Sequence, residues 1–551
     1  MLETRIISSL EKCFSESSPA DFAPLERISV LRGERLSFQY AYRETAPDAP
    51  HRTWCTPVLL GDLAEFASVR IVEFTPSLMP VYPPPRQSDD DFLKKDPGLY
   101  PDRLEQIPKC GIPVCTSMAR TLWITVDIPA DASAGDHTLT VGIDGAAGPL
   151  DRAQLVVHIV AASLPEQTMP VTQWFHCDCL ADYYRVPVFS EEHWRIIENF
   201  VHAAVSNGIN TLLTPLFTPP LDTAIGHERP TVQLVGVTLE GGKYSFDYSL
   251  LDRWIDMCDR VGVKYFEINH LFTQWGAAFA PKVMATVDGE YRRIFGWDTP
   301  AADGEYPVFL RTFLPDFIAH MKSRGDDRRC IFHISDEPNS KNLEQYTRSR
   351  AVVADLLEGY TVMDALSNIE FWQSGVVRTP VVATNHIQPF IDVNVPDLWA
   401  YYCCSQSVGV SNRFFAMPGA RTRFIGMQFY KYNIAGFLQW GYNFYYNQGS
   451  YNFVDPYADS TGQYFAPSGD TYSVYPARDG TATESVRIVQ FHEALQDARA
   501  LALCEKLCGR EATLVAMEAI CGEIVFHKCV CDSPTLLALR DKVNHMIEQK
   551  V

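Results

Sequence analysis

The sequence predicts an α/β protein, a (β/α)8 TIM-type barrel with an N-terminal β-sandwich domain and a mostly helical C-terminal extension. Three observations predict it. From about residue 170 short apolar runs alternate with longer helical patterns, the texture of βα units. Before residue 165 the apolar pattern has the two-residue period of half-buried strands. The run Ile331-Phe332-His333-Ile334 then stops at Ser335 and the acid pair Asp336-Glu337, followed by Pro338. A buried strand that delivers chemistry to the mouth of a barrel ends in this way.

The elements follow in order. Glu34 to Tyr42 alternates polar with apolar and Thr121 to Ile128 does so less strictly, so both read as strands of a sandwich over residues 1–165. Thr75 to Pro113 is rich in proline and acid with weak periodicity, which predicts a long surface loop able to reach over a neighbouring domain. Leu164-Pro165-Glu166 reads as a junction. The barrel is expected over residues 166–510, with strands at Gln173–Asp178, Thr211–Leu216, Lys264–Leu271, Cys330–Glu337, Tyr360–Leu366, Pro380–Ile387, Leu398–Cys404 and Gly436–Asn443. Helices are expected between them, at Glu191–Ser206, Ser249–Val261, Pro307–Ser323, Leu343–Glu358 and Gly419–Tyr430. A last helix covers Glu484–Leu507, and residues 511–551 form the helical extension. No repeat or low-complexity tract interrupts the pattern.

Composition narrows the function. A chain of 551 residues, 46% hydrophobic, exceeds one ordinary domain and has material for a large core. Its 67 acids against 47 bases give a formal net charge of -20, which repels nucleic acid and anionic membranes. A small neutral or locally held substrate is therefore expected, not a polyanion; the oligomeric state is left open. Met1 to Ser18 mixes charges into a short amphipathic stretch without an apolar core, so neither a signal peptide nor a membrane span is read there and a cytoplasmic location is expected. The 15 cysteines are an odd number, some in close pairs such as Cys177 with Cys179 and Cys403 with Cys404, which suits reduced thiols.

Residues at the C-terminal ends of barrel strands share one mouth. Strand one brings Trp174, His176 and Asp178; strand three His270, then Trp275; strand four His333, Asp336 and Glu337. Strand six offers Asn385 and His386, strand seven Tyr401 and Tyr402, strand eight Trp440, Tyr442 and Asn443. Aromatic faces beside carboxylates, amides and imidazoles suit a sugar, whose C–H face stacks while its hydroxyls need polar partners. Taken singly each residue has a plainer reading as core, rim packing or a satisfied hydrogen bonder, and Ser335 or Asp336 could simply cap the next helix.

Retaining glycosidases usually set an acid/base and a nucleophilic carboxylate roughly 5–5.5 Å apart on opposite sides of the bond to be cleaved. Strand seven here ends Trp399-Ala400-Tyr401-Tyr402-Cys403-Cys404, without an acid. Substrate assistance resolves this: a 2-acetamido oxygen attacks the anomeric carbon, Glu337 serves as acid/base, Asp336 orients the amide, and a strand-seven tyrosine holds the acetamido oxygen. Two carboxyls so close resist ionising together. Three other readings stay open. A glycosidase for sugars without the acetamido group would take its nucleophile from Asp178 or Asp364. A glycan-binding protein would use the aromatic platform alone. A metal hydrolase would use His176, His270, His333 and Asp336, although no HxH or HExxH spacing is present; neither a metal nor a cofactor is expected.

The strand-four Asp336-Glu337-Pro338, the run Gly436-Phe437-Leu438-Gln439-Trp440-Gly441-Tyr442-Asn443, and the segment Gly469-Asp470 through Tyr475-Pro476 to Asp479-Gly480 resemble the domain of unknown function 4091, the catalytic part of glycoside hydrolase family 123. The resemblance runs from about Trp123 to Leu503. It implies a β-sandwich before a (β/α)8 barrel and a retaining β-N-acetylgalactosaminidase acting through the acetamido group of its substrate. Asp336 and Glu337 match the family's stabiliser and acid/base by position. A short oligosaccharide or glycoconjugate fragment is the expected substrate.

Overall fold

The computed structural model describes residues 1–116 and 118–551. Its N-terminal region is two five-stranded sheets. One is antiparallel, in the order Leu2–Ser8, Arg35–Glu44, Arg120–Asp127, Ala67–Ser77, Gly98–Gln106. The other runs Arg27–Arg32, Gly148–Ser163, Gly135–Gly145, Arg52–Leu60, Ile112–Cys115. Alternate residues of both face inward, so Phe38, Tyr40, Leu122 and Ile124 share one core with Val141, Ile143, Val157 and Ile159.

Eight parallel strands then close a barrel: β1 Val171–Gln173, β2 Thr211–Thr214, β3 Tyr265–Ile268, β4 Cys330–His333, β5 Thr361–Leu366, β6 Thr379–Ala383, β7 Trp399–Tyr401 and β8 Gly436–Gln439. Closure comes from β1 pairing with β8, Val171 opposite Phe437. Inward residues Leu213, Ile331, Met363, Val381 and Leu438 fill the interior, while Leu212, Phe332, Val382 and Phe437 face the surrounding helices. The helices form for ordinary reasons. Glu191–Ser206 is capped by Ser190, carries Glu191 and Glu192 in its first turn, and buries Ile196, Ile197, Phe200 and Val201 along one stripe. Ser249–Val261 ends at Gly262, whose φ of 100° suits only glycine.

Every predicted barrel strand is present, and each is shorter at its C-terminal end except β5. The β4 case shows why. The N–H groups of Ile334 and Ser335 donate to Asp364 Oδ1, at 2.9 and 3.1 Å, instead of to a neighbouring strand. The helix expected over Leu343–Glu358 stops at Ala351 and continues as turns to Gly359, and the one over Gly419–Tyr430 breaks at Phe424. A four-stranded sheet built from Gly236–Glu240, Lys243–Asp247, Val283–Val287 and Glu290–Phe295 was not foreseen; its two hairpins flank β3 in sequence and pair with each other only in space.

The stretch Thr75–Pro113 is only partly a loop, since Gly98–Gln106 and the first half of Ile112–Cys115 lie inside it as strands. Residues 78–97 do cross to the barrel. Leu93 N–H donates to Ala416 O at 2.8 Å, Gly409 N–H to Asp89 at 2.7 Å, and Arg421 pairs with Asp89 and with Asp91. Beyond the barrel come helices Val486–Cys508, Arg510–Cys521 and Ser533–Glu548.

Candidate active site

Asp336 and Glu337 stand in a turn just above β4, not on the strand itself. Asp364, from β5, anchors the two residues before them through their N–H groups, and is itself held by the Tyr346 hydroxyl. Ser335 Oγ donates to Thr273 O at 2.8 Å, and Trp275 N–H donates to Asp336 O at 2.8 Å, so the loop after β3 braces the turn from the other side. Glu337 has φ 42°, a left-handed conformation that costs roughly 1–2 kcal/mol and persists because its neighbours fix it. The next helical segment takes its cap from Asn339, so neither Ser335 nor Asp336 has the capping role.

The acid pair opens into a small cleft of about 160 Å³. Trp174, His176, Trp275, Tyr401 and Trp440 line it together with Asp336 and Glu337. Tyr401 O–H donates to Glu337 Oε1 at 2.7 Å. Burial and the charge of Glu337 hold that phenol well above its ordinary value, so it stays a donor. Burial, then the neighbouring charge of Glu337, pushes the Asp336 carboxyl well above the usual carboxylate range, and His333 opposes them. Asp336 therefore favours its protonated form, which puts a proton at the acid pair for transfer to a leaving oxygen.

Beneath the cleft lies a closed charge network. His333 Nε2 meets Glu267 Oε1 at 2.7 Å and its Nδ1 meets Asp364 Oδ1 at 3.3 Å. Burial disfavours the imidazolium, but the hydrogen bonds to Asp364 and Glu267 and their charges outweigh it and bring the pKa to about 9. Glu267 also accepts from Trp174 Nε1 at 2.7 Å, which sets the indole in the cleft wall. His270 stacks on His333 with ring centroids 4.3 Å apart. Burial, with the charge on His333, drives its pKa far below the ordinary value, and it is neutral.

Eight residues expected at the mouth do not line the cleft, among them His386, which is exposed in the turn after β6. His333 and His270 are sealed in the network just described. Asp178 is buried in a bidentate pair with Arg229, at 2.7 and 2.8 Å. Asn385 is exposed and accepts from Gln406 at 2.9 Å. Tyr402 points out of the barrel onto Phe437 because side chains of a strand alternate and Tyr401 takes the inward face. Tyr442 is likewise outward, donating to Phe200 O at 2.8 Å, and Asn443 spends its amide on the backbone of His176. His176 keeps one edge in the cleft wall while its Nε2 lies 3.1 Å from Trp440 O and its Nδ1 3.2 Å from Arg229; burial and Arg229 lower its pKa to about 3. The four residues of the metal reading therefore do not converge on one point.

Polar lining residues that escaped the sequence reading are Asp222, Gln274, Ser405 and Gln448, with the paired thiols Cys403 and Cys404 beside them. Asp222 and Gln274 sit in long connections after β2 and β3 that carry no motif, so only the fold reveals them. Asp470, quoted above for its motif, lies behind the cleft and accepts from Trp440 Nε1 at 2.8 Å; burial, opposed by Arg413 and that hydrogen bond, puts it at about 6.

The family model for the glycoside hydrolase 123 catalytic domain matches residues 174–504. Among solved structures, a family 123 glycoside hydrolase from Clostridium perfringens, studied for glycolipid glycan hydrolysis, aligns with a TM-score of 0.71 at 14% identity, covering 100% of this chain and 98% of that one. At that identity the likeness is one of fold. A Bacteroides ovatus family 5 xyloglucanase covers 85% of this chain and 98% of its own at 9% identity, but its TM-score of 0.28 carries no argument. No curated protein matches the chain.

Proposed function

The chain belongs to glycoside hydrolase family 123, and from that premise we propose that it releases a terminal β-linked N-acetylgalactosamine with retention of configuration, using the substrate's own acetamido oxygen as nucleophile. One observation carries the reading. The acid pair rises from a single strand end, and β7, across the mouth, supplies a tyrosine hydroxyl hydrogen-bonded to Glu337 where a nucleophilic carboxylate would otherwise be sought.

The steps follow from the protonation of the pair. With no donor to its carboxylate among the described residues, Asp336 holds the proton. An acetamido N–H donating to Asp336 favours its ionised form, so the proton passes to Glu337. Glu337 then gives it to the leaving oxygen as the acetamido oxygen closes on the anomeric carbon. The ionised Asp336 stabilises the positive oxazolinium ring. Glu337, now a carboxylate, takes a proton from the water that reopens the ring, and the sugar leaves with its original anomeric configuration.

Direct attack by a protein carboxylate loses both residues first considered for it, because Asp178 is committed to Arg229 and Asp364 to Tyr346 and the β4 turn. Asp222 lines the cleft, so that route retains one candidate. A thiazoline mimic of the cyclised intermediate separates the two: the proposal expects tight competitive inhibition, and absence of inhibition with turnover of plain galactosides contradicts it. Binding of N-acetylgalactosamine glycosides with no turnover at all would favour a lectin-like role. The Clostridium perfringens relative directs attention to glycolipid glycans, so a glycoconjugate is the aglycone class to try first.

A further inference from the structure

We propose that Asp222 fixes the nonreducing edge of the terminal sugar, accepting a hydrogen bond from its C4 or C6 hydroxyl; the role rests on the reading above. Asp222 follows β2, on the flank of the mouth formed by the loops of β1 to β3, whereas Glu337 leans to Tyr401 on β7. An acid bound to the leaving oxygen on one side leaves the far edge of the ring for the other. The loop that carries Asp222 is clamped by two others, after β3 and after β8. The Asp222 N–H donates to Gln274 Oε1 at 2.6 Å, its carbonyl accepts from Ser450 Oγ at 2.8 Å, and Ala224 N–H donates to Gly449 O at 3.0 Å. These contacts hold it at φ 48°, left-handed and over-determined, as side chains aimed at ligands often are.

Its side chain is only half engaged. Oδ2 is buried with no hydrogen-bond partner among the described residues, an arrangement that is costly unless a donor comes from outside the protein. Burial pushes the carboxyl up to about 7, against Arg229 and a backbone hydrogen bond from Gly449, with Asp470 and Glu337 adding to the rise. Arg229 does not neutralise it directly, being spent on Asp178. The charged residues lining the described cleft, Asp222, Asp336 and Glu337, are all acids. Such a lining accepts neutral hydroxyls and repels a sulfated or uronate-type terminal sugar.

The test pairs the protein change with the substrate change. Wild type and Asp222→Asn are assayed on aryl β-N-acetylgalactosaminide and on its 4-deoxy and 6-deoxy analogues, with melting temperature as a control for folding and Asp222→Ser as a second variant. The parent substrate should lose roughly 10- to 100-fold in kcat/KM, the range expected when a charge-assisted hydrogen bond is removed. On one deoxy analogue the penalty should shrink to about threefold or less, because the partner hydroxyl is already gone. An equal penalty on all three substrates overturns the inference while leaving substrate assistance intact. A collapse of kcat restored by azide with inverted product makes Asp222 a nucleophile and overturns both. Wild type that turns over galactosides but no N-acetylated sugar likewise overturns the reading and this inference with it.

Discussion

At the scale of single residues the account turns on two neighbouring carboxyls kept unlike. Asp336 is the more desolvated, and Glu337 is hydrogen-bonded to Tyr401. Asp336→Asn and Glu337→Gln should each lower kcat by roughly two to four orders of magnitude, with little change in melting temperature. For Glu337→Gln the loss should shrink on substrates whose leaving group needs no protonation; equal losses on good and poor leaving groups would contradict its role as acid. His333 makes a second residue-scale prediction. Its folded pKa of about 9 lies above the ordinary 6.5, so its protonation adds stability that is complete below pH 6.5 and is lost as pH rises toward 9. The span is worth about 3 kcal/mol at most. Urea denaturation near pH 6 and near pH 9.5 should show wild type losing stability across that interval and His333→Gln losing less of it. Identical slopes would mean that His333 is neutral in the folded protein.

At the scale of elements, strand alternation decides which of two adjacent tyrosines matters. Tyr401 faces the cleft and Tyr402 the helices, with the Tyr402 hydroxyl buried and unpartnered among the described residues. Tyr401→Phe should cost about 10- to 100-fold in kcat, as loss of one preorganised donor does, and Tyr402→Phe should leave both activity and stability nearly unchanged. The reverse ranking would mean that the strand register is wrong. The same alternation was legible in the apolar runs, which is why eight strand starts could be read to within about three residues. Strand ends were less legible. β4 stops where a side chain, Asp364, replaces the neighbouring strand as hydrogen-bond acceptor, and no local pattern announces a partner 29 or 30 residues away. Tyr442 and Asn443 were placed at the mouth for a related reason: once β8 ends at Gln439, the residues beyond no longer follow its inward and outward alternation. Asp222 was invisible because nothing in its loop distinguishes a clamped carboxylate from a solvated one.

At the scale of the whole molecule, the N-terminal sheets and the barrel are one packed unit. Arg487, in the first turn of helix Val486–Cys508, makes a buried bidentate pair with Asp102 at 2.8 and 2.9 Å, and the Tyr475 hydroxyl joins them at 2.5 Å. Removing one member strands a buried charge, so Arg487→Met should destabilise by about 3–5 kcal/mol, read as a lowered denaturation midpoint. A loss under about 1 kcal/mol, the range of exposed pairs, would mean the junction is hydrated. The function of this assembly rests on the attacking atom belonging to the substrate, and the basicity of that atom is the most direct probe. Aryl β-N-acetylgalactosaminides bearing mono-, di- and trifluoroacetyl groups weaken the amide oxygen in steps without altering the glycosidic bond. The account predicts that kcat falls steeply and monotonically along that series. A flat series, with the trifluoroacetyl compound cleaved as fast as the parent, would contradict it.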